Sequence, residues 1–291
     1  MLRFDPDAGE RTASPEDLSF GEKAVVLING VTIPKPRVTS TPLDWGLEFE
    51  SLEFQNARGQ QLLAWRIPAK EQNGGPIVLL FHGYAACKED LLPMAMEFRE
   101  VGCETVLLDF YGSGESSGSS TSFGYFEAED IVSLVDQIES GDRRLIGYGI
   151  SMGGAAMMRA CAVLDVNLDG LIVESVFPNF RETIGQRFKA MGLPATPAAD
   201  LLMFWGCVDL GFSGREHNPA DYARKISVPT LVLTGAHDQR VPETSVRKMV
   251  SNFAGEASLH VFDAGHRPFV NTHPETWKSL ISEFLNTTPD Q

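Results

Sequence analysis

Basic residues are scarce in this chain. Its 291 residues carry 24 Lys and Arg against 39 Asp and Glu, a formal net charge of −15. Nucleic-acid binding draws its affinity from Lys and Arg that neutralise phosphates, so the balance argues against a nucleic-acid partner. It disfavours an anionic membrane surface for the same reason, and an acidic surface is otherwise ordinary for a soluble enzyme. Long apolar runs are missing too: nothing approaches the roughly 18 consecutive apolar residues of a membrane span. The first twenty residues, MLRFDPDAGERTASPEDLSF, carry several acids and lack an apolar h-region, which argues against a secretory signal and leads us to expect a cytoplasmic protein. Cysteine is sparse, with Cys87, Cys103, Cys161 and Cys207 widely spaced and no CxxC. That pattern suggests neither a zinc site nor a disulfide framework but reduced, mostly buried thiols. The chain also lacks an internal repeat. Its glycine- and serine-rich stretch, GSGESSGS at 112–119, departs from the phosphate-binding G-x-x-x-x-G-K-[ST] and has no lysine beside it. No His/Asp/Glu cluster shows metal-ligand spacing, so neither a cofactor nor a metal is expected.

What the chain does have is apolar content, 43% of residues, enough for one large α/β domain with an insertion. From Leu47 the pattern alternates, LEFESLEFQ, then the turn-like Asn56 to Gly59, then QLLAWRIP, which predicts an antiparallel hairpin with one face buried. A wholly apolar run follows at Ile77 to Phe81, and further strand-like segments at Glu104 to Asp109, Leu145 to Ile150, Leu168 to Glu174, Thr230 to Gly235 and Ser258 to Phe262. Such runs belong in a parallel sheet covered on both faces. Helical spacing appears from about Glu89 to Val101, Phe123 to Ile138, after Ser151, near Thr244 to Phe253 and from Pro274 to Leu285. Strands alternating with helices predict a mostly parallel sheet with helices on both sides and the hairpin at an edge. Residues 1–45, punctuated by five prolines, read as an extension over the main domain with one strand near Ala24 to Ile28. Between Glu174 and Val228 no strand is expected; Thr196-Pro197 opens the apolar helical run LLMFW at 201–205. An insertion there would lie over the C-terminal strand ends, where open α/β sheets bind ligands, and we read it as a cap.

The chemistry gathers around Arg144 to Ala156, RLIGYGISMGGAA. Gly149-Ile150-Ser151-Met152-Gly153 fits G-x-S-x-G, with a strand before it and a helix after it. The five-residue pattern alone arises by chance in many chains; the strand–turn–helix context is what gives it meaning. A serine on so sharp a turn sits at strained backbone angles, and residues two before and two after it must lack bulky side chains. The turn aims the Met152 amide beside the serine oxygen, at a helix N-terminus.

A serine hydroxyl needs a base, and the base needs an orienting acid. Of six histidines, His266 lies in FDAGHRP, after the last predicted strand, where a side chain can fold over the sheet's C-terminal edge. His237 reads as a loop residue, His260 lies inside a strand, and His217 and His273 lie near helix starts. For the acid, Asp238 in GAHDQRVP follows the strand TLVLTG, and Glu174, ending the preceding strand, is its rival.

The order Ser151, Asp238, His266, with His82-Gly83 after a strand and DFYGSGESSG at 109–118, resembles the α/β-hydrolase superfamily from about residue 50 to 286. Within it the chain is similar to serine esterases and serine-aminopeptidase-like enzymes with a short helical cap. The resemblance implies an eight-stranded, mostly parallel α/β-hydrolase sheet; with the reading above, residues 1–45 are expected to pack on a domain of 46–291 that carries a cap at about 176–226. It implies an oxyanion hole from the Met152 and Tyr84 amides. HGYA stands where lipases and hormone-sensitive-lipase-like esterases carry HGGG, which sets that subgroup aside. A serine at 151 argues against chemistry that needs a carboxylate nucleophile. His82, Asp109, Gly112 and Gly114 read as structural. The activity expected is acyl transfer on a small, largely apolar ester-type substrate. An aminopeptidase, using Glu174 or Glu182 for the substrate amine, a thioesterase, an acyltransferase or perhydrolase, and a ligand-binding protein on the same fold are the alternatives.

Overall fold

Each apolar run of the sequence becomes a strand, because a segment apolar on both faces is stable only with layers packed above and below it. A computed structural model describes residues 3–10, 12, 19, 21, 32–71, 74–190, 196 and 211–288. The strands are β1 (Glu50–Gln55), β2 (Gln61–Ile67), β3 (Ile77–Phe81), β4 (Glu104–Asp109), β5 (Leu145–Ile150), β6 (Gly170–Glu174), β7 (Thr230–Gly235) and β8 (Ala257–Phe262). They form one sheet in the order β1-β2-β4-β3-β5-β6-β7-β8. The predicted hairpin is the antiparallel edge: β1 pairs β2, β2 pairs β4, and every other pairing is parallel. Burial follows position, since β3 is buried throughout and only one residue of the edge strand β1 is.

Helices α1 (Leu92–Glu100), α2 (Glu127–Val135), α3 (Met152–Val163), α4 (Phe180–Ala190), α5 (Glu243–Val250) and α6 (Pro274–Thr287) cover both faces. One core packs α2, α3 and α5 on Leu79, Phe81, Val106, Leu171 and Val173. The other packs α1 and α6 on Val78, Leu80, Leu107, Ile146 and Ile172. Alternate residues of one strand thus feed opposite layers, the two-residue period of a pleated strand. One-turn helices at Pro219–Tyr222 and Phe269–Thr272 escaped the sequence reading, being too short to show a period. So did α4, whose apolar residues are diluted by Arg181, Glu182 and Gln186.

The helix expected over 201–205 and the strand near Ala24 to Ile28 lie outside the described residues. Of the N-terminal segment, Arg3 bridges Ser120, Asp5 bridges Pro34, and Phe4 is buried. Cys87 and Cys103 are buried and Cys161 half-buried, all three unpaired by disulfide. Burial pushes each of these thiols up to about 12. No helix among the described residues is long and apolar enough to cross a membrane.

Candidate active site

Parallel β3, β5, β6, β7 and β8 end on one edge of the sheet, and the loops that leave them carry the candidate residues. Ser151 follows β5 at φ 50°, ψ −110°, a conformation that L-residues hold only when their surroundings impose it. The surroundings do so here. A Cβ on Gly149 would lie 2.5 Å from Gly154 Cα, and one on Gly153 would run into the Phe81 carbonyl oxygen. The backbone is fixed from both sides: Ser151 N–H donates to Glu174 O (2.7 Å), and Ser151 O accepts from Ala155 N–H (3.0 Å) as α3 begins. Met152, first residue of α3, has an amide with no carbonyl a turn earlier to bond.

The loop after β3 runs alongside. A Cβ on Gly83 would stand 3.8 Å from Ser151 Cβ, which puts Tyr84 next to the serine's turn. His82 shapes this loop from within the core: Phe110 N–H donates to its Nε2 (3.2 Å), so Nδ1 carries the proton it gives to Gly83 O (2.8 Å). Complete burial holds its pKa below the ordinary histidine value. The glycine-rich loop is likewise internally committed. Asp109 accepts from the Lys88 and Glu115 amides (2.7 and 2.9 Å) and pairs with the Lys88 ammonium at 2.5 Å, both side chains fully buried.

His266 and Asp238 meet. Nδ1 of His266 and Oδ2 of Asp238 are 2.6 Å apart, the carboxylate side chain fully buried and the imidazole 20% exposed. Asp238 Oδ1 accepts from the Arg240 and Val241 amides at 2.8 and 2.9 Å. The loops that carry the pair are joined by Ala236 N–H to Phe262 O (2.8 Å) and His237 N–H to Ala264 O (2.9 Å). Among the described residues no hydrogen bond links Ser151 Oγ to His266; such contacts are often long before substrate binds and tighten in the complex.

Glu174, the rival acid, lies elsewhere. It is buried against the opposite face, its Oε2 accepting from Tyr148 Oη (2.6 Å) and Trp277 Nε1 (3.3 Å), its Oε1 from Phe269 N–H (3.0 Å). Burial outweighs these bonds and raises its pKa to about 7. It therefore steadies the loop that bears His266 instead of touching the imidazole. His217 is buried too, with Nε2 2.8 Å from Phe123 O and Nδ1 3.1 Å from Tyr222 Oη, and burial lowers its pKa to about 4. His237 pairs with Asp263 at the surface (2.7 Å), and His260 and His273 both pack on Phe262.

The sequence reading missed an aromatic wall. Tyr84 stacks on Phe123 (ring centroids 4.5 Å), Phe123 packs on Phe180 (5.4 Å), and Phe180 on Phe177 (6.1 Å). It joins the loop beside Ser151 to the start of α4. Its members come from three separate loops, and only their apolar character was visible beforehand. Among the described residues no three His, Cys, Asp or Glu side chains gather as metal ligands.

Comparison with known proteins agrees with this architecture. The profile of the alpha/beta hydrolase family matches residues 77–277. Uncharacterized protein YqkD of Bacillus subtilis is 26% identical over 219 residues, 73% of this chain and 72% of its own. A solved esterase of Pyrococcus furiosus is 25% identical with a TM-score of 0.72, covering 87% of this chain and 97% of its own. A solved esterase from Exiguobacterium antarcticum is 21% identical with a TM-score of 0.62, over 82% of this chain and 100% of its own.

Proposed function

The chain belongs to the alpha/beta hydrolase family, and from that premise we propose that it is a serine hydrolase cleaving ester-type acyl bonds of a small, largely apolar substrate. The observation that carries the reading is the pairing of His266 with the buried Asp238 at the edge where the strained Ser151 turn also ends.

In this reading Asp238, held by two amides, fixes His266 with Nδ1 protonated and Nε2 free to act as base. His266 takes the Ser151 proton as Oγ attacks the carbonyl carbon. The Met152 and Tyr84 amides receive the oxyanion, each such donor being worth about 10²- to 10³-fold in rate. The alcohol departs with the proton from His266, and water repeats the sequence on the acyl-enzyme. The aromatic wall of Tyr84, Phe123 and Phe180 supports an apolar acyl group, since packed ring faces present mainly hydrocarbon surface. Similarity to the two esterases supports ester over amide cleavage. An aminopeptidase would need a carboxylate for the substrate amine; Glu174 is committed to three buried bonds, and Glu182, the other candidate, is exposed and accepts from Ser245 Oγ (2.8 Å).

The test is labelling with a fluorescent fluorophosphonate, together with hydrolysis of p-nitrophenyl esters of increasing acyl length. We expect wild-type protein to label and Ser151→Ala not to, with a rate loss of about 10⁴-fold or more. A folded wild-type protein that neither labels nor hydrolyses would move a ligand-binding role ahead.

A further inference from the structure

We propose that Phe4, in the N-terminal segment, is a positioning residue of this site: it braces Tyr84, and so the amide that faces the oxyanion. The inference rests on the oxyanion role given to Tyr84 above.

Phe4 is 3% exposed, while Arg3, Asp5 and Pro6 around it are exposed. It is part of neither core, so its burial comes from another source. Its ring lies 5.8 Å from that of Tyr84, tilted by 42°. On another side Tyr84 stacks on Phe123 at 12°. The residue that precedes the turn at Ala85 is therefore gripped by two rings, one from the N-terminal segment and one from the 120–124 loop.

That grip matters because the turn is under strain. Ala85 has φ 56°, in the left-handed region where a Cβ is disfavoured. Phe123 has φ 57° and is strained in the same way. Such conformations persist only where the surroundings impose them, and an oxyanion donor works only within a few tenths of an ångström of its target. A freed Tyr84 would relax away from the serine.

The brace has its own anchors. Phe4 N–H donates to Ser119 O (2.6 Å), Asp5 N–H to Ile33 O (2.8 Å) and Lys35 N–H to Asp5 O (2.9 Å). Arg37 Nη2 donates to Pro6 O at 2.5 Å, and Lys35 Nζ to Ser116 O at 2.7 Å. The Cys87 thiol, three residues beyond Tyr84, lies 3.7 Å from Arg37 O. The N-terminal segment is thus tied both to the loop it presses and to the loop opposite. A side chain serving only to bury itself would not need this frame.

The experiment compares full-length wild type with Phe4→Ala, Phe4→Leu and, as a control of similar burial at the sheet edge, Phe54→Ala. It reads kcat and KM for p-nitrophenyl butyrate, and hydrogen exchange of the peptide spanning residues 83–87. We expect Phe4→Ala to lower kcat roughly ten- to a hundred-fold with KM within about two-fold, because a misplaced donor weakens the transition state and not the ground state. Exchange at 83–87 should quicken, Phe4→Leu should show a smaller but measurable change in both, and Phe54→Ala should lose thermal stability alone. An unchanged kcat in folded Phe4→Ala overturns the proposal, as does a rise in KM with kcat preserved, which would make Phe4 part of the substrate wall. If Phe4→Ala does not fold, Phe4→Leu decides by the same two readouts, an intermediate loss of kcat with quickened exchange supporting the brace and wild-type values of both opposing it. The exchange comparison needs no turnover, so activity surviving in Ser151→Ala would overturn the serine reading while leaving the brace measurable.

Discussion

Glu174 shows how a residue's place on the sheet edge leaves its partner open, which is why it stood as the rival to Asp238. It ends β6 on the edge where an acid would serve, yet its carboxyl turns into the opposite layer and bonds Tyr148, Trp277 and the Phe269 amide. Its proton carries a consequence for stability. The folded chain keeps that proton up to about pH 7, and the unfolded chain releases it near 4.5. Between those values the native state binds more protons, so this contribution is complete below pH 4.5, falls as pH rises and is gone above pH 7. At most it is worth about 3 kcal/mol. Denaturant unfolding at pH 5 and pH 8 should therefore show a larger drop in stability for wild type than for Glu174→Gln, which has nothing to titrate. Equal drops would show that the carboxyl is ionised throughout. Asp130, also raised to about 7 by burial, acts in the same direction in both proteins and cancels from the comparison.

At the scale of elements, the strand–turn–helix around Ser151 was legible because its demands are local. Gly149 and Gly153 sit where a side chain would strike backbone, and backbone cannot step aside. Gly153→Ala should cost at least about 3 kcal/mol or leave a folded protein with a displaced serine. Thermal unfolding and fluorophosphonate labelling distinguish these outcomes, and a stable variant that labels at the wild-type rate would refute the steric account. Strand identity was legible for a similar reason: Ile77–Phe81 has no polar side that could face water. What escaped was assembled from distant parts. The wall of Tyr84, Phe123, Phe180 and Phe177 has no period in the sequence, because its rings arrive on three separate loops. Nor could spacing show that His217, near a helix start, would be buried with both ring nitrogens engaged. One-turn helices fell below the length at which a 3.6-residue repeat can be seen.

On the scale of the whole molecule, parallel strand order does what no single segment can: it delivers residues 82–84, 151–152, 238 and 266 to one edge. The order of these motifs along the chain was readable. The meeting of His266 with Asp238 was readable only as topology, through the expectation that successive parallel strands end together. The N-terminal segment was opaque, since the meaning of Phe4 lies in a partner eighty positions away.

Depth gives the molecule another property. Burial pushes Cys87, Cys103 and Cys161 up to about 12, and thiols react as thiolates, so in the closed protein all three react slowly. They lie in different layers, with Cys103 in one core, Cys161 packed beside the other and Cys87 under the N-terminal segment. Under pulses of iodoacetamide at pH 8, peptide mass spectrometry should find alkylation arriving at Cys87 before Cys103 if the N-terminal segment lifts before the sheet opens, and together if the chain opens as one unit. The thiols thus keep a covalent diary of which part of the molecule came apart, and when.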